Sequence, residues 1–224
     1  MDHLPSNADF IRISGLLIIF EITLSNAFSD TSCDLKLICL ISLALYAMAP
    51  NMGIKSKYPA FNAAQINSVN QAVSMAEELV SNYYKMSLNE WLRPKYDVKT
   101  IAELGVDEIV DGPYAQLFRY QGKRKGSSLG SGSYDFYKIC IQDHAILATL
   151  KKSPELSLVA FCLYIITHEL IHIVRFSKFL QNFEASTEEK LAEEKRVHAI
   201  THQILSEVPM PELSAVLAYY QQWR

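Results

Sequence analysis

His168-Glu169-Leu170-Ile171-His172 places two imidazoles four residues apart with a carboxylate beside the first. On a helix, residues at that spacing lie on one face with their β-carbons about 5–6 Å apart. Two ring nitrogens can then close on one metal ion at about 2.0–2.1 Å each. Glu169 is turned about 100° from that line, so it can serve as a general base toward a water without being a ligand itself. The competing reading makes both histidines neutral core residues bonded to backbone and pairs Glu169 with Arg175. Against it stands the surrounding stretch, LSLVAFCLYIITHELIHIVRF, which is apolar on every side. Ionisable groups inside such a helix cost several kcal/mol unless they are paired or bind a metal.

A catalytic site of this type needs a third protein ligand and keeps one position open. Ser153-Pro154-Glu155 reads as the start of the first helix, with Ser as cap and Pro at the first helical position. A break follows at Gln181–Ala185, and Ser186 with Glu189 forms a capping box for a second helix that ends near Glu207, before Pro209 and Pro211. Pro211 can open a last helix to about Gln222. If the first two helices form an antiparallel hairpin, His172 faces residues 194–196 and His168 faces residues 198–200. Glu193 and Glu194 both fall within a turn of that depth. The wheel places them on opposite edges of the stripe Val197, Ile200, Ile204 and Val208. We take Glu194 as the third metal ligand, with Glu193 as the alternative, because His198 lies one turn on along the same flank. His198 there is a hydrogen-bond partner of the ligand or a donor to a developing oxyanion. Tyr164, His144 and Arg175 are further oxyanion candidates, and His202 reads as polar filling or an exposed group.

His168-Glu169-x-x-His172 followed by a glutamate about twenty residues on, upon a second helix, resembles the zincin metallopeptidases, the gluzincins in particular. The resemblance covers roughly residues 153–207. The third histidine at short spacing that marks metzincins is absent, and His198 or Val197 stands where gluzincins often carry Asp or a small residue. The resemblance implies Zn²⁺ as cofactor, a peptide or protein substrate, and hydrolysis with Glu169 as catalytic base. A rival from another class is a di-iron helical oxidoreductase, since Glu169-x-x-His172 is also a Glu-x-x-His and Glu77 or Glu78 could add carboxylates. The second Glu-x-x-His that such a site uses is missing. A third reading is a non-catalytic binding module on a zincin-like scaffold.

Upstream, Ile66, Val69, Val73, Ala76, Val80 and Tyr83 recur at three and four residues and describe one buried stripe of a helix. Thr100–Leu104 carries a Thr-x-x-Glu box that predicts a short helix stopped at Gly105. Ala115–Gln121 and Tyr134–Gln142, rich in aromatic and β-branched residues, predict a β-hairpin across a long Gly/Ser-rich loop. Tyr134–Gln142 is the candidate edge strand for an extended substrate, and the loop at 122–133 a candidate gate. The fold class is therefore α+β, mainly helical, with a small antiparallel hairpin or sheet beside a His-Glu-x-x-His helix packed antiparallel to a second ligand-bearing helix.

The chain has 224 residues, half of them hydrophobic, and a formal net charge of −3. That suits one domain, residues 51–224, behind an N-terminal segment 1–50. A near-neutral balance argues against a nucleic-acid partner. Cys33, Cys39, Cys140 and Cys162 form no Cys-x-x-Cys pair and read as reduced, which suits a cytoplasmic protein. Two apolar runs, Ile13–Leu24 (broken by Glu21) and Leu35–Ala49, read as helical and fall short of the roughly 18 uninterrupted residues of a membrane span. Three roles fit residues 1–50: a packing subdomain, a membrane-associated hairpin through residues 13–49, or a segment covering the cleft. Oligomeric state leaves no mark on the sequence.

Overall fold

The structure, a computed structural model, describes residues 8–16, 57–87, 90, 95–124, 133–182 and 184–221. It is an α+β fold, mainly helical, with a small sheet against a helical layer.

The longest helix, α1 (Ala63–Tyr84), starts at a reciprocal capping box. Asn62 Oδ1 accepts from the Gln65 amide and Gln65 Oε1 accepts from the Asn62 amide, each at 2.9 Å. Its stripe buries Val69, Ala72, Ala76 and Val80, while Tyr83, expected in the same stripe, is exposed. Strand β1 (Ala8–Leu16) lies on one side of the sheet, and β2 (Lys95–Lys99) on the other. Between them run β3 (Ala115–Arg124) and β4 (Ser133–Ile141), in the order β1-β3-β4-β2. β3 pairs antiparallel with both β1 and β4, in a register running from Ala115 opposite Ile141 to Lys123 opposite Ser133. β2 pairs parallel with β4.

Four expectations are corrected here. β4 is an inner strand: Ile139, Cys140 and Ile141 are all fully buried, the continuous apolar run of a strand covered on both faces, and β2 takes the edge beside it. The Tyr134–Gln142 segment therefore offers no free edge to a substrate. Residues 8–16 form a strand where the N-terminal apolar run read as helical, because Ala8–Leu16 finds hydrogen-bonding partners in β3 from Arg124 to Leu117. The rest of the two apolar runs lies outside the described residues, as does the centre of the candidate gate at 122–133. Thr100–Leu104 closes only a turn, Glu103 N to Thr100 O at 2.8 Å, and a single 3₁₀ turn follows at Val106–Glu108. Ser153 does not start the next long helix. A helix not anticipated, α2 (Asp143–Lys152), ends there, Ser153–Leu156 forms a turn, and Ser157 becomes the cap, accepting from the Ala160 amide at 3.3 Å.

Asp143 ties this region together. Its carboxylate is fully buried and accepts from the Phe61 amide at 2.9 Å and the Ile101 amide at 3.1 Å, joining the approach to α1 and the segment after β2 to the start of α2.

Helix α3 (Leu158–Ser177) is the centre of the molecule, with Ala160 to Phe176 buried throughout. It is long and apolar enough to cross a membrane, but protein surrounds it: α1 packs along it, and α4 (Thr187–Ser206) and α5 (Leu213–Tyr219) cover further faces. The expected capping box of α4 is present, with Glu189 N to Ser186 Oγ at 3.3 Å and Ser186 N to Glu189 Oε2 at 2.8 Å. α5 is shorter at both ends than the 211–222 span expected. Cys140 and Cys162 are buried free thiols, and Cys33 and Cys39 lie outside the described residues.

Candidate metal centre

Contacts between α3 and α4 step in opposite directions along the two chains. Tyr164 meets His198, His168 and His172 meet Glu194, and Arg175 meets Glu193. This is the antiparallel register expected from the hairpin, and it resolves which glutamate faces the histidines. Glu194 places Oε2 at 3.2 Å from His168 Nε2 and Oε1 at 3.2 Å from His172 Nε2. The two Nε2 atoms are themselves 3.2 Å apart. Two ligands bound tetrahedrally at about 2.0–2.1 Å stand about 3.3–3.4 Å from each other, so this triangle has the dimensions of a metal's coordination shell.

The hydrogen-bond arithmetic points the same way. His172 Nδ1 donates to Gln181 Oε1 at 3.0 Å, which leaves a lone pair on Nε2 of the neutral ring. That lone pair meets the His168 Nε2 and a carboxylate oxygen. At most one hydrogen fits between two nitrogens at this separation, so acceptors converge on one point and call for a cation there. Burial disfavours charge on His172, but the Glu194 carboxylate outweighs it and pushes the ring up to about 9. Burial also opposes charge on Glu194, yet His172 and His168 together hold it well below the ordinary carboxylate range. His168 is lowered, by burial first and by His172 in addition. The donor set, two imidazoles and a carboxylate, fits a divalent first-row metal ion. Gln181, in the α3–α4 turn, orients the His172 ring through this bond, and its place in a loop gave no signal for that role in the sequence.

Glu169 is 3% exposed and, among the described residues, its Oε2 has no hydrogen-bond partner. Burial pushes its carboxyl up to about 8; His172 opposes the shift and Glu194 adds to it. It lines a narrow crevice together with His168, His198, Tyr164, Tyr114 and Tyr220. The pairing of Glu169 with Arg175 does not occur, because Arg175 Nε donates to Glu193, to which Arg196 Nη1 also donates at 2.6 Å. Tyr84 of α1 lies beside Arg175 as well. Glu193 is thus a buried ion-pair centre linking α3 to α4. Replacing Glu193 with Ala is expected to lower stability by about 3–5 kcal/mol, the cost of stranding a buried charge, while leaving metal binding intact. Urea unfolding alongside metal content checks both halves; metal loss with unchanged stability would reverse the assignments of Glu193 and Glu194.

His198 is 4% exposed and its Nδ1 is 2.8 Å from the Tyr164 hydroxyl. Its ring centroid stands 4.4 Å from that of His168, and ligand atoms of His168, Glu194 and His198 lie within 4.8 Å of one another. Burial and the neighbouring His168 hold it well below an ordinary histidine, and Glu194 opposes them only in part. His144 sits elsewhere, against Asp111 at 3.4 Å and the Tyr58 ring, and His202 is half-buried. Glu77 accepts from Tyr96 and Glu78 is exposed, so neither joins His172.

Comparison of the chain with protein families, with curated proteins and with solved structures returns no match.

Proposed function

We propose that this protein is a zinc-dependent hydrolase of peptide bonds. The observation that carries the reading is the 3.2 Å triangle of His168 Nε2, His172 Nε2 and the Glu194 carboxylate, beside a Glu169 oxygen that has no hydrogen-bond partner among the described residues. His168, His172 and Glu194 are the zinc ligands, a set of two imidazoles and one carboxylate that leaves a position open, as in catalytic rather than structural zinc sites. Zinc, when bound, supplies a Lewis acid that polarises a carbonyl and makes a neighbouring water easier to deprotonate. Glu169 takes the proton of the attacking water at Oε2 and returns it to the departing amine. Its raised affinity for a proton suits a group that must accept one and give it back near neutral pH. Gln181 fixes the His172 ring, and the Arg175–Glu193 pair holds the two helices in register.

The choice of peptide bond rests on the resemblance of His168-Glu169-x-x-His172 with Glu194 to gluzincins. Against the di-iron alternative, Glu77 accepts from Tyr96 and Glu78 is exposed. A peptide library incubated with protein stripped by chelation and then reloaded tests the proposal. Cleavage should vanish on stripping and return with zinc. Cleavage that survives complete metal removal, or none in the zinc-loaded protein, would overturn it.

A further inference from the structure

The space beside Glu169 is small, and its walls are tied to one another. The crevice that Glu169 lines holds about 210 Å³, counting the part open to solvent, against about 300–1,000 Å³ for clefts that take drug-sized ligands. Its apolar walls are Tyr114 just before β3, Ala115, Tyr164 and Ile165 on α3, and Tyr220 just after α5. Tyr164 and Tyr220 stack with centroids 3.8 Å apart and planes 2° from parallel, and each is 1% exposed. Phe161, fully buried one turn before Tyr164, stacks on Tyr220 at 5.8 Å and meets the Tyr114 ring edge-on at 4.9 Å. The Tyr114 hydroxyl bonds with the Tyr219 hydroxyl at 2.7 Å and with Thr149 Oγ1 at 2.9 Å, and the Tyr114 carbonyl accepts from the Gln142 amide at 2.9 Å. Turning any one of these rings breaks its contact with the next, so the crevice keeps its width when a substrate enters.

We infer that this crevice is a selectivity subsite admitting only a small uncharged side chain, that of Gly, Ala or Ser, at one of the two residues that share the scissile bond. Ala115 sets its depth, and Tyr114 and Tyr220 set its width. The inference rests on the hydrolase reading, which brings a peptide against Glu169. Ala115 is the one small residue in the lining and is 3% exposed, with its backbone fixed opposite Ile141 in the β3–β4 pairing. A Leu or Phe side chain would have to push the stacked rings apart, which a close-packed interior resists. A Lys or Arg would shed its hydration among rings and Ile165, in a space too short for it, and an acidic side chain would also meet Glu169.

Methyl spectra of the full chain labelled with ¹³C-alanine and ¹³C-isoleucine read entry into the crevice without turnover, in zinc-loaded Glu169→Gln. The probes are acetylated, amidated hexapeptide libraries built from Leu, Phe, Tyr, Gln and Lys, except at one fixed position that is Gly, Ala, Ser, Val, Leu, Phe or Lys. The Ala115 and Ile165 methyl signals should shift with the Gly, Ala and Ser libraries and stay in place with Leu, Phe and Lys. Zinc-loaded wild-type protein should cleave the small-residue libraries with kcat/KM about 10²-fold above the Leu library. Ala115→Gly should move the preference toward Val, and Ala115→Val should confine it to Gly. Opposite shifts from one position do not arise from a general loss of stability. Equal methyl shifts with the Gly and Leu libraries, no shift with any library, or variant profiles that match wild type would overturn the inference. Shifts with the small-residue libraries and cleavage of none would instead strike the hydrolase reading and leave the subsite standing.

Discussion

Glu169→Gln should abolish nearly all turnover while leaving the zinc content and the fold unchanged. A general base contributes about 10²–10⁴-fold to such a reaction, and the amide cannot take the proton. The substitution is close to isosteric, and it strands nothing, because among the described residues Glu169 Oε2 has no partner to lose. Burial already pushes the carboxyl up to about 8, so a neutral amide in its place should leave thermal stability equal or higher. Steady-state cleavage, metal content and a melting curve on one preparation test the three parts together. Turnover within a few-fold of wild type would remove Glu169 from the chemistry. Zinc loss would mean that Glu169 is a ligand, as in a di-iron-like site, and a protein that binds zinc but never cleaves would favour a binding module.

The second large effect is on metal-linked stability. His172→Ala removes one corner of the triangle and leaves His168 and Glu194 with His198, whose ligand atom lies within 4.8 Å of theirs but whose Nδ1 is engaged by the Tyr164 hydroxyl. Wild-type protein in zinc at about a thousand times Kd should gain about 4 kcal/mol in unfolding free energy, since metal binds the folded site and not the unfolded chain. His172→Ala should gain almost none. Its metal-free stability should also fall, because a fully buried ring and its bond to Gln181 are lost. Denaturant unfolding with and without zinc separates the two contributions. An equal zinc-induced gain in both proteins would place the metal elsewhere.

Much of this was legible in the residues. The His168–His172 pair was readable because helical geometry converts a spacing of four into a shared face. The depth of Glu193 and Glu194 followed from the hairpin, whose turn is marked by Gln181–Ala185 and the Ser186–Glu189 box. The choice between Glu193 and Glu194 was harder, because it depends on how α4 is rotated about its axis. The apolar stripe left the two glutamates on opposite edges, and Arg175 decided the rotation by claiming Glu193. Tyr164 stood only as one of several oxyanion candidates: that its hydroxyl meets His198 depends on how α3 and α4 pack. β2 was missed for a related reason. Its five residues, KYDVK, alternate weakly, and only pairing with β4 makes them a strand. The same pairing turned β4 from an edge into an interior strand, a fact that periodicity within Tyr134–Gln142 could not contain. At Ser153 and Ser157 two caps competed for one helix, and the unseen end of α2 settled which was used.

The most direct test is metal content by mass spectrometry on purified wild-type protein and on Glu169→Ala, His172→Ala, Glu193→Ala and Glu194→Ala. The account predicts one zinc per chain in wild type, Glu169→Ala and Glu193→Ala, and none in His172→Ala and Glu194→Ala. Wild-type protein that takes up no metal when zinc is supplied, with His172→Ala behaving identically, would contradict it and leave the two histidines as core residues.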